Sequence, residues 1–126
     1  MISRHIDEKL APFFLRVSLG LTMLLSHGLP KLLSFSTNVN TFPDPLGISS
    51  KLSLILTILA EVFCSTFIIL GIKVRLTVIP LIITMAVAAF IVHAGQPWKN
   101  QEMAIIYLFG YVCIFISGAG RLAIKN

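Results

Sequence analysis

The chain has 126 residues, of which 56% are hydrophobic and only 12% charged, and its mean hydropathy is +0.93. Soluble domains carry about 25% charged residues, so a water-soluble fold of this composition would have too little polar surface to cover itself. We therefore expect a membrane protein, and at this length a single domain. The net charge of +5 falls mostly at predicted loop ends, without the basic patch and interleaved aromatics typical of nucleic-acid binding, so no nucleic-acid partner is expected.

Four apolar runs predict four membrane-spanning helices, at about residues 11–29, 52–71, 76–94 and 102–118 of one domain covering residues 1–126. Each run approaches or reaches the roughly 17–25 residues that a helix needs to cross a bilayer. Pro30 is expected to end the first helix, and the short connection after the second helix makes helices 2 and 3 antiparallel neighbours. The predicted fold class is therefore an all-α membrane protein, a four-transmembrane-helix bundle.

Lysine and arginine are divided unevenly between the two sides of this bundle. Six lie on the side of the termini and the middle loop, whereas three lie on the other: Arg4, Lys9, Lys73, Arg75, Arg121 and Lys125 against Lys31, Lys51 and Lys99. Cytoplasmic loops carry the excess of these residues, so both termini are predicted to be cytoplasmic.

Two charged residues lie inside the predicted helices and require a partner or water. Glu61 falls near the middle of helix 2, and Arg16 lies roughly 9 Å along helix 1 at 1.5 Å per residue. The simplest hypothesis is an Arg16–Glu61 ion pair. Such a pair could form a proton or anion site at mid-membrane, or a clasp that sets helix register, with Arg16 alternatively reaching back to the cytoplasmic interface.

A second polar group is predicted at the opposite ends of the helices. His27 and Lys31 end helix 1, His93 ends helix 3 and Glu102 begins helix 4. Two imidazoles, an ammonium and a carboxylate at one level suit an anion, a quinone head group or a metal, and histidine relays protons near neutral pH. The alternative is a set of ordinary interfacial residues in which Glu102 stabilises a helix N-terminus.

Other kinds of site find little support in the sequence. Cys64 and Cys113 form no CxxC or metal-ligand pair, so neither a disulfide framework nor a zinc site is predicted. A haem held between His27 and His93 is disfavoured because there is no CxxCH motif. No P-loop, GxGxxG, nucleophile elbow or HExxH occurs, so an enzyme of this kind would work with a partner or a membrane cofactor.

The polar landmarks together resemble the DoxX family of small four-helix membrane proteins. The resemblance covers almost the whole chain and rests on four segments in order: Arg16–Gly20 through His27-Gly28 to Lys31; Phe42 followed by Leu46-Gly47-Ile48; Ala60-Glu61 through Leu70-Gly71-Ile72 to Arg75; and His93, then Glu102–Leu108 through Gly118-Ala119-Gly120-Arg121. It implies a multi-pass protein of the bacterial inner membrane that is linked to redox chemistry, with soluble sulfur or superoxide enzymes among the partners of relatives.

On this basis the first hypothesis is a membrane subunit of a redox system that holds a quinone or a small sulfur compound. His27, His93 and Glu61 are the candidate catalytic residues and would handle protons, while Arg16, Lys31 and Glu102 are the candidate substrate-binding residues. Quinone is the candidate cofactor, and soluble redox enzymes are the candidate partners. Two alternatives stay open: a transporter or binding module for small molecules or anions without chemistry, and a membrane scaffold that recruits soluble proteins. The sequence does not decide whether the protein is an enzyme, nor its oligomeric state.

Overall fold

A computed structural model describes residues 8–125, and this part of the chain is all-α. Four helices are long and apolar enough to cross a membrane: α1 (Leu10–Leu33), α3 (Ser50–Leu70), α4 (Val74–Val92) and α5 (Trp98–Ser117). A short helix, α2 (Phe35–Asn38), lies in the loop after α1. The predicted four-helix membrane fold is therefore confirmed.

Helix α1 does not end at Pro30, as the sequence predicted, but continues to Leu33. A π-helical segment, Leu24–Gly28, precedes the proline, which then lies in the first turn of the α-helical segment Leu29–Leu33. A first-turn residue has an N–H that would be unpaired in any case, so proline is tolerated there. The extra turn carries Lys31 on the helix rather than in a loop.

Helix α5 also begins earlier than predicted, at Trp98 instead of Glu102. Pro97 occupies the N-cap position, and the polar residues after it form the first helical turn. Polarity does not prevent helix formation at an end that emerges from the apolar layer, so the polar stretch was wrongly assigned to the loop. Glu102 consequently lies in the second turn of α5.

The start of α1, the α3–α4 connection and the tail after α5 meet at one end of the bundle, which we call the terminal side. The tail runs beside the connection: the Lys125 N–H donates to the Gly71 carbonyl at 3.0 Å, and the Ile124 N–H donates to the Leu70 carbonyl at 3.0 Å. The Arg121 N–H donates to the Lys9 carbonyl at 3.1 Å. The opposite end, which carries the connections at residues 34–49 and 93–97, is called the loop side.

Helices α1 and α3 approach each other most closely at two glycines. A Cβ at Gly20 would lie 2.6 Å from the Ile69 side chain, and one at Gly28 would lie 2.6 Å from the Glu61 carbonyl oxygen. Any larger residue would push the helices apart. Gly28 therefore brings the backbone around Glu61 directly against α1, one turn below Lys31.

Candidate functional site

The Arg16 guanidinium is fully buried and donates all five of its N–H groups to backbone carbonyls. The bonds are between 2.6 and 3.0 Å long, and the acceptors are Ile68, Ile69, Ala119, Arg121 and Leu122. The predicted Arg16–Glu61 pair is therefore wrong. Arg16 instead joins α1, the last turn of α3 and the chain after α5 on the terminal side.

The physical reason lies in the ends of helices. The last four carbonyls of an α-helix lack intrahelical partners and carry the negative end of the helix dipole. Ile68 and Ile69 belong to the last turn of α3, which ends at Gly71 in a left-handed conformation with φ 76°. A fork of five donors matches several such carbonyls at once. Because every N–H is engaged, Arg16 has no donor left for a ligand.

Glu61 is paired with Lys31, whose Nζ lies 2.6 Å from Oε1 of the carboxylate. The carboxylate side chain is only 4% exposed, whereas the lysine side chain is 26% exposed. This pair exists because α1 continues through Pro30 and places Lys31 one turn beyond Gly28, on the face that contacts α3. The sequence predicted two separate polar groups, one around Glu61 and one at the loop-side helix ends. In the structure Glu61 instead lies with His27, Lys31 and His93.

An inner cavity of about 170 Å³ lies beside this pair. It brings together both candidate histidines, His27 and His93, with Lys31 and Glu61. The rest of its lining comes from α1, α4 and α5: Met23, Met85, Ala88, Asn100, Met103, Ala104 and Tyr107.

A larger, half-enclosed outer cavity of about 320 Å³ adjoins the inner one. Lys31, Glu61, Ala88 and His93 line both. The other walls of the outer cavity are mostly apolar and come from α3, α4 and the loop after α2: Phe42, Pro43, Pro45, Leu46, Ile48, Ser53, Leu56, Thr57, Ile83, Thr84, Val87 and Val92. The site therefore consists of an apolar chamber whose polar end is an ion pair and an imidazole.

The hydrogen bonds around His93 determine which ring nitrogen carries its proton. Gln96 Nε2 donates to the Val92 carbonyl at 3.1 Å, and Gln96 Oε1 accepts from Asn100 Nδ2 at 3.0 Å, which orients the amide. The same Oε1 lies 3.0 Å from His93 Nδ1. An amide oxygen only accepts, so Nδ1 donates to it, and in the neutral ring Nε2 then presents a lone pair. His93 can thus accept a proton or bind a metal through Nε2.

Tyr107 is a site residue that the sequence analysis missed. Its ring packs edge-on against His27, with centroids 5.8 Å apart and an interplanar angle of 88°. Its hydroxyl donates to Thr22 Oγ1 at 3.0 Å, which ties α5 to α1 beside the inner cavity. Ala104, Tyr107, Tyr111 and Ile114 form the buried face of α5. Their spacing of three or four residues was the available signal.

Helical spacing places Glu102, Phe109 and Cys113 near one face of α5, and from the sequence alone this face is predicted to turn inward. All three are exposed, so that assignment is wrong. Glu102 lines neither cavity, and the structure separates it from His27, Lys31 and His93. The polar residues suggested a functional face, but the tyrosines bury far more surface and decide which side packs inward.

Three π-helical segments lie around the site: Leu24–Gly28 in α1, Leu59–Cys64 in α3 and Ala88–Val92 in α4. They contain or adjoin His27, Glu61, Ala88 and His93, all of which line the inner cavity. Single π-turns inside α-helices are uncommon and occur frequently at functional sites, where the extra residue redirects side chains. Nothing in the sequence predicted these turns.

Comparison with protein families gives one match: the model of the DoxX family covers residues 11–94. This region includes α1, α3 and α4 and therefore Arg16, His27, Lys31, Glu61 and His93. No curated protein and no solved structure matches the chain significantly.

Proposed function

Since the chain belongs to the DoxX family, with which it shares three of its four spanning helices, we propose that it is a membrane subunit of a redox system that binds a lipid-soluble quinone. The observation that supports this most directly is the pairing of an apolar outer cavity with the Lys31–Glu61 ion pair and His93 at its inner end. An amphiphilic molecule with a small polar head and an apolar tail matches that distribution.

The mouth of the outer cavity suits entry from the bilayer. Leu56 on α3 and Ile83 on α4 are 48% and 57% exposed, on helices that would face lipid. Leu46 and Ile48 of the loop add apolar surface above them. A ligand carrying a hydrocarbon tail can therefore pass between these residues without leaving an apolar medium.

At the polar end, the proposed ligand meets one donor and one proton acceptor. Oxidation of a quinol releases two electrons and two protons; the electrons go to the partner enzyme of the redox system. His93 Nε2, with its lone pair, accepts one proton from a quinol hydroxyl. The Lys31 ammonium stabilises the negative oxygen that this leaves, while Glu61 orients the ammonium. His27 lies on the inner cavity and is the candidate group to receive the second proton.

The test is binding of a short-tailed quinol analogue to the detergent-purified protein, measured by calorimetry together with solvent extraction of co-purified quinone. Lys31→Met and His93→Asn should each weaken binding at least about tenfold, since each removes one charged or directed hydrogen bond. Lys99→Met is the matched control because Lys99 is exposed and lines neither cavity.

A further variant separates a quinone from a small sulfur anion as ligand. Leu56→Trp narrows the apolar cavity without changing any charge, so it should weaken binding of the quinol analogue but not of thiosulfate. If the wild-type protein binds no analogue, or if Lys99→Met weakens binding as much as Lys31→Met, the proposed function is wrong.

A further inference from the structure

The inner cavity collects sulfur as well as nitrogen ligands. The chain has four methionines, and three of them, Met23, Met85 and Met103, line this one cavity from α1, α4 and α5. The fourth, Met1, lies outside the described residues. His27 and His93 line the same cavity. From this convergence we propose that the inner cavity binds monovalent copper, Cu(I), a role that goes beyond quinone binding; because His93 lines both cavities, Cu(I) and a quinol cannot use its Nε2 at the same time.

The ligand types select this ion. Thioether sulfur is a soft ligand that favours Cu(I), and imidazole binds copper as well. Zinc and iron sites are built mainly from thiolates, imidazoles and carboxylates, and no cluster of three His, Cys, Asp or Glu residues suited to a metal ion occurs between residues 8 and 125. The methionines give no metal signal in the sequence, because methionines in an apolar helix are normally assigned to the core.

The histidine geometry agrees with ligation. His93 Nδ1 donates to Gln96 Oε1, so the lone pair lies on Nε2. Metal-binding histidines almost always use their second nitrogen in this way, which sets the tautomer and the ring orientation. The His27 ring is held edge-on against Tyr107, which limits its rotation.

The charges around the cavity also favour a monovalent ion. Lys31 and Glu61 neutralise each other, and methionine and neutral histidine add no charge. A bound Cu(I) would therefore leave a single positive charge. The cost of transferring an ion into a low-dielectric region rises steeply with its charge, so a divalent ion with neutral ligands would be much less stable there.

Packing alone does not account for these methionines. Methionine commonly fills irregular gaps in a core, but residues that served this purpose would close the gap, whereas these three border a cavity of about 170 Å³. Met23 and Met85 are buried, while Met103 is 50% exposed and lies beside the exposed Asn100. The thioethers thus lead from the rim of the cavity to its interior.

The test is an anaerobic titration of the purified full-length protein with Cu(I) in competition with a chromophoric chelator. Free thiols also bind Cu(I), so both the reference protein and the variants carry Cys64→Ala and Cys113→Ala. The reference should bind one equivalent. Met23→Leu with Met85→Leu should weaken binding at least about tenfold, because leucine keeps the volume but lacks sulfur.

Thermal unfolding without copper shows whether the double variant still folds, and binding of the quinol analogue shows whether the outer cavity is intact. Equal Cu(I) affinity in the reference and double variant, or no binding of one equivalent by the reference, overturns the copper proposal. Failure of quinol binding with Cu(I) binding intact contradicts the proposed function instead. If the double variant fails to fold, the Met85→Leu single variant is measured instead, and it too should bind Cu(I) at least about tenfold more weakly than the reference.

Discussion

Arg16 remains buried on the terminal side because two segments, the last turn of α3 and the chain after α5, supply five carbonyls to its guanidinium. Lysine at this position could not replace it, since one ammonium points its donors from a single atom and the guanidinium spreads them over three. The residue that looked most like an anion-binding group is therefore a structural link between α1, α3 and the tail.

Replacing Arg16 should accordingly destabilise the fold. We expect Arg16→Lys to lower the free energy of unfolding by about 2–4 kcal/mol, since it leaves at least two buried carbonyls unpaired. Arg75→Lys is the control, because exposed Arg75 donates only to the carbonyls of Phe115 and Ile116 and should cost less than about 1 kcal/mol. Unfolding in a denaturing detergent, followed by circular dichroism, measures both. Equal losses would show that Arg16 does not have this special role.

The Lys31–Glu61 pair can be measured by a double-mutant cycle. Lys31→Met and Glu61→Gln should show a coupling energy of about 1–2 kcal/mol, reduced from that of a fully buried pair because Lys31 is partly exposed. Glu61→Gln and Arg16→Met should be additive within about 0.5 kcal/mol, because the two residues share no hydrogen bond. Coupling between Arg16 and Glu61 without coupling between Lys31 and Glu61 would instead support the Arg16–Glu61 pair expected from the sequence.

At the scale of elements, the π-helical turns explain how long apolar helices present polar groups at one level. A π-turn accommodates an extra residue, which shifts the face that the following side chains present. The segment Leu59–Cys64 contains Glu61, and it faces Leu24–Gly28, which contains His27, across the Gly28 contact. Regular α-helices would not keep this arrangement.

Deletion of a residue tests this directly. Removing Phe63, a 51% exposed residue inside the π-segment of α3, should convert it to α-helix and leave the flanking helix in register. Such a protein should fold, yet bind the quinol analogue at least about tenfold more weakly because Glu61 moves. Removing Leu56 from the regular segment Ser50–Ile58 should instead rotate the rest of α3 by about 100° and abolish folding. Size-exclusion profiles and circular dichroism show which of the two deletion variants folds. If both deletions leave the protein folded, the π-turn does not have this role.

The loop over the outer cavity is organised by Asp44. Its carboxylate accepts hydrogen bonds from the N–H groups of Ile48 and Ser49 and from the Ser53 hydroxyl, each at 2.9 Å. Partial desolvation raises the pKa of Asp44, but these bonds outweigh it, so its pKa lies below the ordinary value of 3.8. The ionised carboxylate thus connects the loop to α3.

A lowered pKa stabilises the folded loop above pH 3.8, and this stabilisation is lost as the pH falls through the lower value. The Asp44→Asn variant should lack this stabilisation even at neutral pH, because the amide nitrogen cannot accept a hydrogen bond. Hydrogen exchange over residues 42–49 should be faster in the variant at pH 7. Pepsin cleavage of this loop should differ between wild type and variant above pH 3.8, and the difference should shrink as the pH falls below that value. If the difference in cleavage between wild type and variant did not change with pH, ionisation of Asp44 would not control the stability of the loop.

At the scale of the whole molecule, the tail and the α3–α4 connection lie on the same side as the start of α1. The excess of Lys and Arg on the terminal side predicts that this side faces the cytoplasm. A green fluorescent protein fused after residue 126 should therefore fluoresce, and alkaline phosphatase inserted at Gly47 should be active. The opposite pattern would reverse the orientation without changing the fold.

The sequence alone was sufficient for the four spanning helices and the family, since both depend on local patterns. It also singled out His27, Lys31, Glu61 and His93, because ionisable groups in an apolar chain are conspicuous, and the structure brings these four residues around one cavity. It misassigned the partner of Glu61, since a helix was assumed to stop at Pro30. It also misassigned the partners of Arg16, which are carbonyls at the end of α3 and in the tail. It overlooked Met23, Met85 and Tyr107, which look like ordinary core residues.

Length, composition and the apolar runs by themselves determined that this chain forms a four-helix membrane bundle, because a bilayer accepts few other solutions for such a sequence. Only the tertiary structure decided which charges meet. The π-turns, the close approach at Gly28 and the continuation of α1 to Leu33 place Lys31 against Glu61. Carbonyls at the end of α3 and beyond α5 hold Arg16. These outcomes depend on the relative rotation and height of neighbouring helices, which no local pattern in the chain encodes.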